Sequence, residues 1–158
     1  MLALLKNPGF RVLGQIKVDE KFSWMMNLLG MSQSTFTRVC DPRIYYLTDI
    51  LNDDSYGYID DESQRVVKPF IMDNQMASLT DSDVAIIDSG IYLYLWIGQS
   101  VSDDVMSSIF GYENFAQAKH YGLYQIEGQG ESVDKLWGIV DQLRQDKGGS
   151  YQQLKFML

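Results

Sequence analysis

Hydrophobic and polar positions alternate most clearly between Asp83 and Gly98. The sequence there, DVAIIDSGIYLYLWIG, has apolar runs at 84–87 and 91–97, separated by Asp88-Ser89-Gly90. Runs of β-branched and aromatic residues on both sides of a short polar turn are typical of a β-hairpin. In the second run both sets of alternate positions are apolar or aromatic. We therefore predict that this strand is covered on both faces and lies in the centre of a sheet.

The first forty residues have a helical pattern instead. Asp19 is placed to cap a helix and Gly30 to end it. The apolar stripe of this helix consists of Phe22, Met25, Met26 and Leu29. A second short helical turn carries Phe36, Val39 and Cys40. Residues 1–5 resemble the tail of a longer helix. We therefore expect a partial helical domain whose stripe packs against another copy of the chain, or which is less ordered than the rest.

Strands and helices follow one another after Pro42. We predict strands at 44–47, 123–126 and 154–158, and an acidic loop at 52–64 with a brief strand near 56–59. Ser100, Asp103 and Asp104 suit the first turn of a short helix over 105–110, which Gly111 ends. A longer amphipathic helix ends at Gly148-Gly149. Its apolar face consists of Val133, Leu136, Trp137, Val140 and Leu143.

Composition restricts the class of protein. A chain of 158 residues with 46% hydrophobic residues can form one domain and a small appendage. Its longest apolar run is too short to cross a bilayer, and Lys6-Asn7-Pro8 interrupts the only N-terminal apolar run. The single cysteine, Cys40, favours a reducing cytosolic setting and a buried apolar role. A net charge of −8 disfavours binding to nucleic acid or anionic lipid.

Residues that could perform chemistry are few. His120 is the only histidine, so we expect it to have a structural or surface role. Gly128 and Gly130 lack the rest of a nucleotide-binding loop and predict a turn. An EF-hand centred on Gly57 would place its ligand positions on Asn52, Asp54, Tyr56 and Asp60 and its bidentate carboxylate on Ser63, so Tyr56 and Ser63 break the pattern. The acidic loop is therefore interpreted as solvated. No catalytic, cofactor-binding or metal-binding residue is assigned, and we expect a protein that is not an enzyme.

The hairpin and the elements that follow it resemble a gelsolin-like domain. The matching features are the D-x-G turn, the IYLYLWIG strand, a short helix, a strand, a long helix and a closing strand. The resemblance implies an α/β (α+β) fold over residues 41–158, with a mixed five-stranded sheet between the long and the short helix. Residues 1–40 form the preceding helical segment. The expected core includes Leu93, Leu95, Trp137 and Val140.

Four further motifs are similar to the C-terminal part of one family, the cargo-selecting subunit of the COPII inner coat (Sec twenty-four). They are LALLKNPGFR at 2–11, the helix around Trp24, DPRIYYL at 41–47 and IFGYENF at 109–115. The resemblance implies a non-catalytic cargo adaptor in transport from the endoplasmic reticulum to the Golgi. It also implies a Sec twenty-three partner, cargo proteins, a location on the cytosolic face of the endoplasmic reticulum and COPII vesicles, and a zinc finger outside this chain.

A calcium-regulated, actin-binding gelsolin-type segment is the alternative. Calcium-binding gelsolin-like domains place a hairpin carboxylate, here Asp88, near a glutamate of the following helix. The aligned position holds Val105 instead. We therefore expect Asp88 to form hydrogen bonds within its turn and the melting temperature to be insensitive to calcium. The sequence on either side of this segment would discriminate between the two functions.

Overall fold

A computed structural model describes residues 17–47, 56–68, 79–123, 125–147 and 152–158. The helices are α1 (Val18–Gly30), α2 (Gln33–Cys40), α3 (Asp103–Val105), α4 (Phe115–Tyr121) and α5 (Glu131–Gln145). A π-helical turn, Met106–Phe110, continues α3. The strands are β1 (Arg43–Tyr46), β2 (Ile59–Asp60), β3 (Arg65–Val66), β4 (Val84–Asp88), β5 (Leu93–Ile97) and β6 (Leu154–Met157).

The main sheet has the strand order β1-β4-β5-β6. Strand β4 pairs antiparallel with both β1 and β5, whereas β6 pairs parallel with β5. In the hairpin Ile86 lies opposite Leu95 and Asp88 lies opposite Leu93. The mixed sheet, the hairpin and the central position of its second strand are therefore confirmed. The short strands β2 and β3 form a separate antiparallel pair.

The main core lies on one face of the sheet. Leu93, Leu95 and Val140 are fully buried, as predicted. Phe110 of the π-helical turn and Leu136 of α5 belong to the same contiguous cluster. Because residues 93, 95 and 97 share one face of β5, both helical segments pack on that face. The resemblance implies that the sheet lies between the long and the short helix. In the structure both helical segments instead lie on the same side of the sheet.

The opposite face of the sheet has its own smaller apolar cluster. Ile44 and Ile87 are buried there, and Tyr94 and Trp96 pack against them. These residues alternate along their strands with the residues of the main core. The strand pattern therefore supplies apolar side chains to both faces, as the sequence of the hairpin predicts.

Within the described ranges the main sheet has four strands, one fewer than the five that the resemblance implies. Leu123, Gln125 and Ile126 lie outside any strand, and Tyr124 lies outside the described residues. Leu123 nevertheless packs into the main core from a connecting segment. The predicted strand at 123–126 is therefore wrong. The apolar residues of this segment resemble a strand in the sequence because some of them are buried.

Trp137 was expected in the core, and this prediction is wrong. Its side chain is 37% exposed, whereas its neighbour Leu136 is 1% exposed. Successive helical residues are separated by about 100° of rotation, so Trp137 falls beside the stripe that faces the sheet. The buried residues of α5 are Val133, Leu136, Ile139, Val140, Gln142 and Leu143.

Several helix ends were predicted one or two residues away from their positions. Lys17, not Asp19, occupies the cap of α1 and makes no side-chain cap bond. The Ser102 hydroxyl, not that of Ser100, caps α3 by accepting a hydrogen bond from the Val105 N–H. Gly30 ends α1, and Gly111 follows the π-helical turn with a φ of 74°, so both predicted stops are confirmed. The Gly148-Gly149 stop lies outside the described residues.

Helix α4 was missed in the sequence. The Asn114 side chain caps it by accepting a hydrogen bond from the Gln117 N–H at 2.9 Å. Gly122, with a φ of 78°, follows its last residue. Only Ala118 of this helix is buried. A helix with one buried position has little apolar periodicity, although the cap and the glycine were both readable signals.

The apolar stripe of α1 is exposed. The exposed fractions of Phe22 and Leu29 are 64% and 79%. Met25 and Met26 are about half exposed, at 51% and 53%. The prediction that this stripe packs against another copy or is less ordered stays untested, and so does the division at residue 41. Within the same region Cys40 is half-buried rather than buried.

Candidate functional site

A buried carboxylate lies where β4 ends and the hairpin turn begins. Asp88 is 2% exposed, and its Oδ1 accepts a hydrogen bond from the Gly90 N–H at 2.9 Å. The predicted turn hydrogen bond of Asp88 is therefore confirmed. Gly90 has a φ of +86°, and a Cβ there would lie 2.7 Å from the Thr35 carbonyl oxygen. Glycine thus allows α2 to pack directly against the turn.

This close packing brings opposite charges to Asp88. The Arg38 Nε lies 3.5 Å from Asp88 Oδ2. Lys147 Nζ donates to Asp88 Oδ1 at 2.5 Å and to the Gly90 carbonyl at 3.2 Å. Gln152 Nε2 also lies within hydrogen-bond distance of Oδ1, at 3.3 Å. We call these four residues, Asp88, Arg38, Lys147 and Gln152, the Asp88 cluster. It joins α2, the hairpin turn, the end of α5 and the approach to β6.

A second carboxylate, Asp146, directly follows α5. It accepts hydrogen bonds from Lys68 and, at 2.9 Å, from the Gln142 side-chain amide. The Arg65 guanidinium lies 4.0 Å away. The side-chain oxygen of Gln142, Oε1, accepts a hydrogen bond from the Val66 N–H at 3.0 Å. These contacts attach the β2–β3 hairpin to the C-terminal end of α5.

The surroundings of Asp146 lower its pKa. Burial on its own would raise the pKa, but hydrogen bonds from Lys68 and Gln142 and the charges of Lys68 and Arg65 outweigh burial. A carboxylate with a depressed folded-state pKa stabilises the fold above its unfolded-state pKa of about 3.9. This stabilisation is lost as the pH falls through the lower, folded-state pKa.

Replacement of Asp146 by asparagine is therefore expected to reduce stability most at neutral pH, by about 1 kcal/mol. Urea denaturation of both proteins between pH 7 and pH 3 would measure the difference, which should shrink once the pH falls below about 4. The control is Asp141→Asn near the end of α5, because Asp141 is 61% exposed and pairs with Arg144 three residues away. A difference that stays constant with pH would contradict this account of Asp146.

The same geometry opposes calcium binding at Asp88. Its carboxylate faces two cationic side chains, whereas a calcium site gathers six to eight oxygen ligands.

In the acidic loop Asp60 accepts a hydrogen bond from the Ser63 N–H at 2.9 Å, and hydrogen bonds from Ser63 lower the pKa of Asp60. Within the described ranges no group of three or more His, Cys, Asp or Glu residues could hold a metal ion. His120 is exposed, and its ring lies against that of Tyr121.

Most of this site could not be read from the sequence. Asp88 and Lys147 are 59 residues apart, and Lys68 and Asp146 are 78 apart. The periodicity of nearby residues cannot predict contacts between residues so far apart in the sequence. The one readable signal was the D-x-G turn, which located Asp88 correctly but gave no indication of its basic partners.

The fold defines a gelsolin-like domain that helices precede, with a cluster of charges where the two meet. The chain is 29% identical to the protein transport protein SEC24-1 of Candida glabrata over 149 residues, which are 91% of this chain and 16% of that protein. It is 25% identical to SEC24 of Chaetomium globosum, over 96% of this chain and 20% of that protein. Mouse Sec24A is 27% identical over 73% of this chain and 10% of its own length.

One solved structure is similar over almost the whole chain. The human COPII-coat protein Sec24c superposes with a TM-score of 0.70 and 20% identity, over 99% of this chain and 20% of that one. No family model matches the sequence. The resemblance to the SEC24 family that the motifs indicate is confirmed by these similarities. The chain spans a fifth or less of the length of these relatives.

Proposed function

We propose that this chain is a non-catalytic segment of a COPII coat cargo adaptor in transport from the endoplasmic reticulum to the Golgi. The observation that carries the proposal is similarity over 91% of the chain to a protein named for protein transport. The agreement in fold with a COPII-coat protein supports it. In this proposal the protein acts as part of a larger adaptor, whose partners are a Sec twenty-three subunit and cargo.

The charge cluster supports a structural contribution to such an adaptor. Arg38 and Lys147 neutralise Asp88 from two different elements. This arrangement holds the helical segment against the gelsolin-like domain. Within the described ranges no helix has the length and apolar character needed to cross a membrane. Association with the cytosolic face of the endoplasmic reticulum would then occur through the assembled coat.

The test is a chimaera. The matching segment of Candida glabrata SEC24-1 is replaced by this chain, and the full-length chimaera is produced in cells that lack the resident protein. We expect it to assemble with the inner coat and to restore export from the endoplasmic reticulum. A second chimaera with Phe110→Ala, which disrupts the core, should fail. A folded chimaera that reaches normal levels but does not join the coat would contradict the proposal.

The alternative, a calcium-regulated actin-binding segment, has no support from the comparisons. It predicts that the purified chain sediments with actin filaments when calcium is present. We expect no such sedimentation with calcium or with chelator, because Asp88 is occupied by Arg38 and Lys147. Calcium-dependent sedimentation would revive the alternative.

A further inference from the structure

A small pocket lies where α2, β1 and the C-terminal end of α5 meet. Its volume is about 60 Å³. Three cationic side chains line it, those of Arg38, Arg43 and Lys147, together with the carboxylates Asp88 and Asp146. It is too small for a cofactor, since typical ligand pockets measure about 300–1,000 Å³. Its size suits a single small charged group.

The pocket has more positive than negative charge. Asp88 already faces Arg38 and Lys147, and Asp146 already faces Lys68 and Arg65. Three basic side chains and two carboxylates line the pocket itself, which leaves an excess of one positive charge. No carboxylate within the described ranges pairs with Arg43, whose polar contact is with the side chain of Tyr45. Such a local excess is notable in a chain whose net charge is −8.

An open groove continues outward from the pocket. Its volume is about 340 Å³, and it shares Ser34, Arg38 and Arg43 with the inner pocket. The groove follows the first turns of α2 and is also lined by Gln33 and Thr37. A charged group in the inner pocket could therefore remain attached to a larger body that lies in the groove.

We propose that this pocket binds a phosphate monoester group carried by a soluble molecule. A phosphate monoester has a charge of about −1.5 to −2 and three strong acceptor oxygens. Planar guanidinium groups match such oxygens with paired hydrogen bonds. Arg38 and Arg43 are the donors, and the Ser34 hydroxyl lies at the entrance. The three acceptor oxygens of a phosphate monoester can bond to both guanidinium groups and to the Ser34 hydroxyl at once, whereas a carboxylate has only two oxygens.

A lipid headgroup would present the same phosphate chemistry. The net charge of −8 opposes approach to an anionic membrane, however, and this favours a soluble carrier. The proposal concerns a ligand of this chain and is independent of its role in a coat. The proposed phosphate site and the proposed function in a coat can therefore be disproved separately.

The experiment titrates the full chain with inorganic phosphate and with O-phosphoserine at constant ionic strength, using calorimetry and the melting temperature as readouts. We expect saturable binding and a rise in melting temperature with both. Arg43→Gln should weaken binding about tenfold or more, because it removes a charge-assisted donor. The matched control is Lys119→Gln on α4, a helix that contributes no residue to the pocket; it removes the same charge and should bind normally.

Arg43→Lys gives a second measurement if Arg43→Gln does not fold. It keeps the charge but removes the planar fork, so binding should still weaken. Sedimentation with vesicles that contain phosphatidylinositol phosphate, compared with phosphatidylcholine vesicles, tests the lipid source. We expect no sedimentation with either. The proposal is overturned by the absence of saturable binding, by equal losses in Arg43→Gln and Lys119→Gln, by unchanged binding in both Arg43 variants, or by binding to phosphoinositide vesicles alone.

Discussion

Replacement of Asp88 by alanine is expected to lower the free energy of unfolding by about 3–5 kcal/mol, the usual cost of removing one partner of a buried ion pair. The side chains of Arg38 and Lys147 are only 21% and 13% exposed. Without Asp88, water can compensate their charges only in part. The variant also loses the hydrogen bond to the Gly90 N–H. Chemical denaturation at neutral pH would measure the loss.

Asp61→Ala is the matched control for this substitution. Asp61 is an exposed residue of the β2–β3 turn and carries the same charge. Its removal should change the stability by no more than about 0.5 kcal/mol. Equal losses for Asp88→Ala and Asp61→Ala would mean that the cluster contributes nothing beyond general surface charge.

Replacement of Phe110 by alanine, as a separate variant, is expected to lower the free energy of unfolding by about 3–5 kcal/mol. Phe110 is fully buried in the main core, and the substitution would leave a cavity there. The control uses the same change at Phe22, whose side chain is 64% exposed on α1. Phe22→Ala should have little effect on stability. Urea denaturation of both variants gives the comparison.

A large loss for Phe22→Ala would contradict the description of α1. It would mean that the apolar stripe is covered in solution, for example by a second copy of the chain. Light scattering on the same samples would then detect a particle heavier than the 18.1 kDa chain. A small loss for Phe110→Ala would instead show that the main core has been assigned to the wrong face.

The parts of the fold that the sequence predicts well depend on neighbouring residues. Alternation over the hairpin predicted its two strands, and the antiparallel pairing of Ile86 with Leu95 confirms them. Glycine correctly predicted the ends of the helices at Gly30 and Gly111. Each of these features is set by local backbone geometry and side-chain period.

The parts that the sequence does not predict depend on distant residues. Trp137 has an apolar side chain at helical spacing, but the rotation of α5 against the sheet places it beside the core. The basic partners of Asp88 come from α2 and from the residues after α5. Only tertiary packing brings these together. The candidate site was therefore visible in the sequence as a turn and not as a charged cluster.

The parallel strand β6 has a consequence for the order of folding. The hairpin β4–β5 closes a short loop, whereas Leu154 of β6 must return to Leu93 from a distant part of the chain. Distant contacts cost more loop entropy and form later. Asp88 would then gain its contact with Gln152, two residues before β6, only as β6 docks. Pulse-labelled hydrogen exchange should accordingly detect protected hairpin amides before those of β6, and simultaneous protection would indicate that the sheet assembles in one step.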